Sequence, residues 1–222
     1  MANEPNGPLS SSPCFAHELG QAPDGSFFIV DEQQRLDVMR WRKAEREKLI
    51  SARLAVTADE RAGWAEAIAR HIEARHDFEN RVVSFYWPFR GEPDLRPLMG
   101  IVLDRGGSCA LPVVVGKAHP LVFRAWKPGE PLERGVWNIP VPAAGAPVVP
   151  DLVIAPVVGF NGDGFRLGYG GGFFDRTLAA MERKPVVLGV GYELARIPTI
   201  FPQPHDIPMN AIVTQDGIVV GA

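Results

Sequence analysis

A chain of 222 residues that is 46% hydrophobic can bury one substantial core, but it is too short for two ordinary domains and a linker. Its 23 basic and 26 acidic residues leave a formal charge of −3, which excludes a global basic field for nucleic acid. The cysteines, Cys14 and Cys109, stand far apart, so neither a disulfide framework nor a cysteine-held metal is indicated, and the absence of a long apolar run or a signal-peptide pattern points to a cytoplasmic protein without a membrane partner.

Residues 1–32 are rich in Pro, Gly, Ser and Asn, with isolated apolar patches at Cys14-Phe15 and Phe27 to Val30. They read as an N-terminal extension without a core of its own, partly disordered, ahead of a single domain over residues 33–222. A helix is predicted from Asp31 to Ala55. In it Arg42, Arg46 and Arg53 are spaced four and seven apart, which at about 100° per residue puts all three on one narrow stripe. Such a stripe is solvated surface unless an anion neutralises it, because like charges at this spacing repel. Thr57-Ala-Asp-Glu60 is a capping box that opens a second helix, with Trp64, Ala65, Ile68, Ala69 and Ile72 as its apolar stripe. His71 and His76 do not share a face, which argues against a two-histidine metal site.

Val82 to Trp87 reads as a strand and Pro88 to Pro93 as the loop leaving it, with Glu92 in that loop. A helix follows, carrying Leu95, Leu98, Met99, Val102 and Leu103 at helical spacing, with Pro97 tolerated in the first turn. Cys109 to Val115 and Leu121 to Trp126 read as two strands, and the proline-rich stretch from Lys127 to Pro150 as an irregular surface connection. Leu152 to Val158 is an uninterrupted apolar run, as expected of a strand buried on both faces. It runs into a loop dense in glycine and then into a helix from Phe173 to Arg183. Val186 to Val190 is a further buried strand, and Ala211 to Thr214 with Ile218 to Val220 a terminal pair.

Alternating strands and helices make an α/β sheet with layers on both faces, and in such sheets ligands gather at the carboxyl ends of the strands. The loops after Trp87 and Val158 both emerge there. In the second, Gly159, Gly162, Gly164, Gly168, Gly170, Gly171 and Gly172 allow backbone amides to turn toward an anion, ahead of a helix N-terminus that favours negative charge. Asp175, in the first turn, stands where a metal ion bridging phosphates needs an oxygen. The pattern is neither G-x-x-x-x-G-K-[ST] nor G-x-G-x-x-G.

Arg166 to Asp175, Arg-Leu-Gly-Tyr-Gly-Gly-Gly-Phe-Phe-Asp, resembles the signature R-[LI]-G-x-G-x-G-[FY]-[FY]-D of the 5-formyltetrahydrofolate cyclo-ligase family, the 5,10-methenyltetrahydrofolate synthetases. Three further segments fall in the family's order: Ser84 to Leu95, Trp137 to Pro142 and His205 to Asn210. The resemblance covers about residues 38–220. It implies a three-layer, Rossmann-like, mostly parallel sheet, and an ATP- and Mg²⁺-dependent conversion of 5-formyltetrahydrofolate to 5,10-methenyltetrahydrofolate, with Mg²⁺ as cofactor and ADP and phosphate released. It also implies small-molecule partners only, folate and ATP, for a monomer or weak homodimer.

Residue by residue, the resemblance places Arg42, in a lysine position with Lys43 adjacent, and Arg46 on the ATP phosphates. Arg166 and the segment Leu167, Gly168, Tyr169, Gly170, Gly171, Gly172, Phe173 and Phe174 would cradle the triphosphate. Arg166 and Asp175 are the catalytic pair, and Asp175 and Asp206 hold the metal. Glu92 would accept from the aminopyrimidine of the pterin, and Trp87, Trp137, Tyr169 and Phe173 offer faces to the flat heterocycle. His205 is a neighbour that fixes its loop. Three departures stand out: Gly171 where many relatives carry lysine, Phe174 for a frequent tyrosine, and Asn210 for an aspartate near the metal. A non-catalytic folate or nucleotide binder on the same scaffold is the alternative, and a sugar-phosphate isomerase on a similar sheet a third reading; the lack of G-x-S-x-G weakens a hydrolase.

Overall fold

The computed structural model describes residues 19–21, 27–29 and 32–220. The chain divides into two units, Met1–Trp41 and Arg42–Ala222, and the boundary falls within α1 (Glu32–Ala55). Most of the expected extension lies outside the described residues. In the first unit β1 (Leu19–Gln21) and β2 (Phe27–Ile29) pair antiparallel.

The second unit contains α2 (Ala58–Glu73), β3 (Val82–Ser84), α3 (Arg96–Asp104), β4 (Ser108–Val114), β5 (Leu121–Ala125), β6 (Leu132–Arg134), β7 (Pro140–Pro142), β8 (Pro147–Val148), β9 (Leu152–Pro156), β10 (Gly159–Phe160), β11 (Arg166–Leu167), α4 (Phe173–Ala180), β12 (Val186–Val190), β13 (Ala211–Thr214) and β14 (Gly217–Val220). An eight-stranded sheet runs in the order β14-β13-β12-β9-β3-β4-β5-β8. Its middle, β13 to β4, is parallel, and the edge strands β14, β5 and β8 are antiparallel.

The apolar run of β9 explains the layers. Leu152 and Ile154 pack with Ile68 and Ile72 of α2 and Leu98, Met99 and Val102 of α3, while Val153 and Ala155 pack with Leu178 of α4 on the other face. Each buried Ile or Leu of this kind contributes about 1.5–3 kcal/mol relative to exposure. The sheet is therefore covered on both sides, as the sequence predicts. α2 opens on the expected capping box, Thr57 accepting from the Glu60 N–H and Glu60 from the Thr57 N–H.

Three boundaries differ from the sequence reading. β3 ends at Ser84 rather than Trp87, because the chain peels from β9 as it approaches Pro88, although the Phe85 N–H still donates to Ala110 (2.9 Å). The stretch from Lys127 to Pro150 is not irregular throughout: β6 and β7 form a hairpin and β8 adds to the edge of the sheet, where proline's missing N–H is tolerated. α4 stops at Ala180 rather than Arg183, because Lys184 Nζ donates to the terminal carbonyls of Leu178 (2.7 Å) and Ala179 (3.2 Å).

Connectivity fixes the crevice. From β3 the chain passes through α3 to β4 on one side, and from β9 through α4 to β12 on the other. The neighbouring strands β3 and β9 thus send their loops apart, which leaves a gap at their carboxyl ends, the place where ligands bind in such sheets.

Candidate active site

The arginine stripe of α1 faces that gap, where its three side chains meet different sets of acceptors. Arg42 forms a fork on Asp206, at 2.5 and 3.3 Å, and donates to the carbonyls of Ile200 and Phe201 (2.9 Å each). Arg46 Nε donates to the Gly168 carbonyl at 2.6 Å. It has no carboxylate partner among the described residues, and burial together with the neighbouring Arg42 charge pulls its guanidinium down from the usual arginine range. Arg53 is 4% exposed and reaches Tyr169. The spacing predicted a single face; the structure adds that this face is turned inward.

The glycine loop is partly ordered by a hairpin, since β10 and β11 pair antiparallel. Beyond it, Gly170 adopts φ +90°, and a Cβ there would stand 3.3 Å from the Arg46 guanidinium carbon. Gly172, at φ +61°, is the N-cap of α4 and offers no side chain to the helix amides. The first-turn N–H groups of Phe173, Phe174 and Asp175 are therefore available to an anion, with the helix dipole behind them. Gly159 serves packing instead: a Cβ would sit 2.6 Å from Leu49.

Arg166 is buried and pairs with Asp175 at 2.9 Å, donates to the Ile207 carbonyl (3.2 Å) and lies 5.6 Å over the Phe174 ring. Asp175 in turn accepts from the Ile207 N–H at 3.2 Å, which binds the helix to the segment carrying Asp206. Burial would raise the Asp206 carboxyl, but the hydrogen bonds from Arg42 and the Gln203 N–H (2.7 Å) hold it below its ordinary value. His205 does not fix this loop: its side chain is 76% exposed and 3.9 Å from Asp206, and the Arg42 fork and Gln203 do the fixing.

Across the gap, Glu92 is 6% exposed. Its Oε2 accepts from the Phe89 N–H at 2.9 Å, while Oε1 is buried without a hydrogen-bond partner. Burial pushes the carboxyl up to about 7, against the opposing pull of Arg53, the Phe89 amide and the nearby Tyr169 hydroxyl, which stands outside hydrogen-bond geometry of Oε1. A buried acceptor left open in this way costs on the order of 1–3 kcal/mol, and a ligand's N–H groups would complete it. Tyr169 lies between the two sides. Its ring meets Phe89 at 5.8 Å and Trp137 at 6.3 Å. Trp137 is 54% exposed, and it and Asn138 hold left-handed backbones (φ 55° and 63°), strain of a kind found at binding clamps.

Some expected groups do not join this cluster. Trp87 packs on Trp126 (6.0 Å) beneath the Arg96 guanidinium (4.9 Å). Lys43 is exposed, one position round α1 from Arg42. Phe173 lies under Arg176, whose guanidinium is 5.3 Å from the ring and donates to the Gly171 carbonyl. Arg176 and Arg46 thus bring positive charge to the stretch where Gly171 lacks a side chain, whereas Arg42 is engaged by Asp206. Asn210 is held at the sheet, its Oδ1 accepting the Val187 N–H at 2.7 Å. Sequence reasoning passed over Phe89 and Arg176, and left Arg53 out of the site although the seven-residue spacing put it on the right face.

A model of the 5-formyltetrahydrofolate cyclo-ligase family matches residues 38–215. The chain belongs to that family. A cyclo-ligase of this name from Mycolicibacterium smegmatis is 30% identical over 183 residues, 78% of this chain and 94% of that protein. The solved 5,10-methenyltetrahydrofolate synthetase of Aquifex aeolicus superposes with a TM-score of 0.70 at 27% identity, covering 81% of this chain and 92% of that one. The synthetase of Mycoplasma pneumoniae, at 19% identity and a TM-score of 0.65, shares the fold. This cyclo-ligase family member has no helix, among its described residues, long and apolar enough to cross a membrane.

Proposed function

We propose that the protein converts 5-formyltetrahydrofolate and MgATP into 5,10-methenyltetrahydrofolate, ADP and phosphate. The observation that carries this reading is Tyr169, which stands in the anion-ready glycine loop and at the same time beside the open carboxylate of Glu92. A nucleotide tail and a pterin held on either side of it would have their reacting ends together. Glu92 Oε1 accepts from the aminopyrimidine edge, and Trp137, Phe89 and Tyr169 offer apolar faces to the rings. Arg46, the Gly168–Phe174 backbone and the first turn of α4 receive the phosphates, with Arg42 and Arg166 beside them.

The formyl oxygen is a poor leaving group. It attacks the γ-phosphorus, ADP departs, N10 then closes on the formyl carbon and loses its proton, and the carbon–oxygen bond breaks with release of phosphate. What the chain supplies is alignment and charge neutralisation.

Asp175 and Asp206 are the carboxylates that would hold Mg²⁺. Among the described residues no group of three His, Cys, Asp or Glu comes together, so a hard cation here takes its remaining oxygens from nucleotide and water, as Mg²⁺ commonly does. When bound, the ion neutralises charge on the phosphates. The cysteine pattern keeps the reading of a cytoplasmic enzyme.

Purified protein mixed with 5-formyltetrahydrofolate and MgATP should produce the methenyl product, followed by its absorbance, with ADP in equal amount. ATP turnover independent of folate, or binding of both ligands without product, would reject the reading in favour of a non-catalytic binder.

A further inference from the structure

We propose that Arg53 is a positioning residue for this reaction: from the last turn of α1 it ties the folate-side loop to the nucleotide-side loop and sets Tyr169 and Glu92 in the state that receives the pterin. The inference rests on the function proposed above. Its basis is the distribution of the three acceptors. Nε donates to the Arg90 carbonyl in the loop after β3 (3.0 Å), one terminal nitrogen to the Val157 carbonyl just past β9 (3.4 Å), and the other to the Tyr169 hydroxyl in the glycine loop (2.7 Å). One side chain thereby fixes the relative placement of the segments that leave the two strands of the crevice.

The chemistry at each end follows. Arg53 occupies a lone pair of the Tyr169 oxygen, so the hydroxyl hydrogen has to point elsewhere. It goes toward the Phe89 carbonyl at a long 3.4 Å, a weak bond that an incoming acceptor can replace. The guanidinium is also a buried cation with no ion pair among the described residues, an expensive arrangement unless a nearby negative charge is retained. Glu92 is that charge. The groups around it are Arg53 from α1, Tyr169 from the glycine loop, Tyr86 from the segment after β3 and Tyr192 past β12, with Arg61 and Asp94 beyond the tyrosines. Of the groups that act on Glu92, Arg53 is the cation, and it favours the ionised acceptor that an aminopyrimidine requires. A lysine would keep the charge but not the fork that spans three acceptors.

The test separates charge from fork. Binding of 5-formyltetrahydrofolate is measured by calorimetry between about pH 6 and 9, and steady-state turnover alongside it. In the unsubstituted protein folate affinity should tighten as pH rises through the Glu92 midpoint. In Arg53→Gln that midpoint should move up by about one unit, because a cation near a carboxylate lowers it by about that much or more. Turnover should fall on the order of 100-fold while ATP affinity changes less than about threefold, as misplacement without loss of a phosphate contact predicts. Arg53→Lys should restore the midpoint but leave turnover at least about tenfold down.

An unmoved midpoint in Arg53→Gln, or full turnover in Arg53→Lys, would overturn the proposal. If Arg53→Gln fails to fold, Arg53→Lys decides alone, with melting temperature as the check on folding. If the unsubstituted protein binds no folate at any pH, the proposed function itself fails and takes this inference with it, an outcome distinct from folate binding that is indifferent to Arg53.

Discussion

The two sides of the crevice handle charge in opposite ways. On the proposed nucleotide side the carboxylates already have guanidinium partners, Arg42 with Asp206 and Arg166 with Asp175, while Arg46 and Arg176 have no carboxylate partner among the described residues. On the proposed folate side a single carboxylate, Glu92, is buried with one oxygen unsatisfied. In the proposed reading a ligand would enter the first by exchanging partners, phosphate taking the arginines while a cation takes the aspartates, and the second by supplying hydrogen bonds that are missing. Pairing keeps a highly charged site stable before ligand arrives; the open carboxylate makes selection strict, because only a donor edge relieves it.

The comparison breaks most severely at Asp175. Asp175→Ala should reduce turnover by at least about 10³-fold. It should also cost about 3 kcal/mol of stability, because Arg166 would remain buried without its partner. Asp175→Asn keeps a neutral acceptor for the Ile207 N–H but leaves the Arg166 charge uncompensated, so activity should be lost and the melting temperature only partly recovered relative to Asp175→Ala. A variant that retained turnover would remove Asp175 from the reaction.

On the other side, Glu92→Gln should lower kcat/KM for folate by about 100-fold, the worth of hydrogen bonds to a charged acceptor, and leave ATP affinity unchanged. Stability should respond in the opposite sense to the Asp175 case. The folded carboxyl titrates near 7 against 4.5 for an ordinary glutamate, so between these values the folded state holds the extra proton. Stability of the free protein thus falls as pH rises through that window, by about 3 kcal/mol, and Glu92→Gln should flatten the dependence in urea titrations at the two ends. A steep dependence surviving in the variant would assign it to another group.

The smallest effect sharpens the boundary of the nucleotide side. Asn210→Asp restores the family's more usual residue yet preserves the acceptor for the Val187 N–H, so turnover should change less than about twofold, as for a substitution outside the reacting cluster. A larger gain would bring position 210 back to the metal.

Much of this was legible in the chain. The apolar run of β9 announced a two-faced sheet, and the Thr57–Glu60 box gave the start of α2 because capping is local chemistry. The Arg166–Asp175 signature named both partners of the buried ion pair before any coordinates did. What escaped depended on partners distant in sequence. Trp87 reads as a ligand platform from its place near a loop, but Arg96 lies over its ring and Trp126 packs on it in a T-shaped contact. Asn210 reads as a metal neighbour from its motif, but a strand amide claims it. Glu92 could be named, while its unsatisfied oxygen could not, since burial is a property of the whole fold.

The run of α1 from Arg42 to Arg53 also sets a length. Eleven residues of helix rise about 16 Å, so one rigid rod carries the cation paired with Asp206 at one end and the cation bound to Tyr169 at the other. In the proposed reading, phosphate tail and heterocycle would be gauged against the same pitch, and a one-residue insertion between Lys48 and Ala52 would throw the two ends about 100° out of phase.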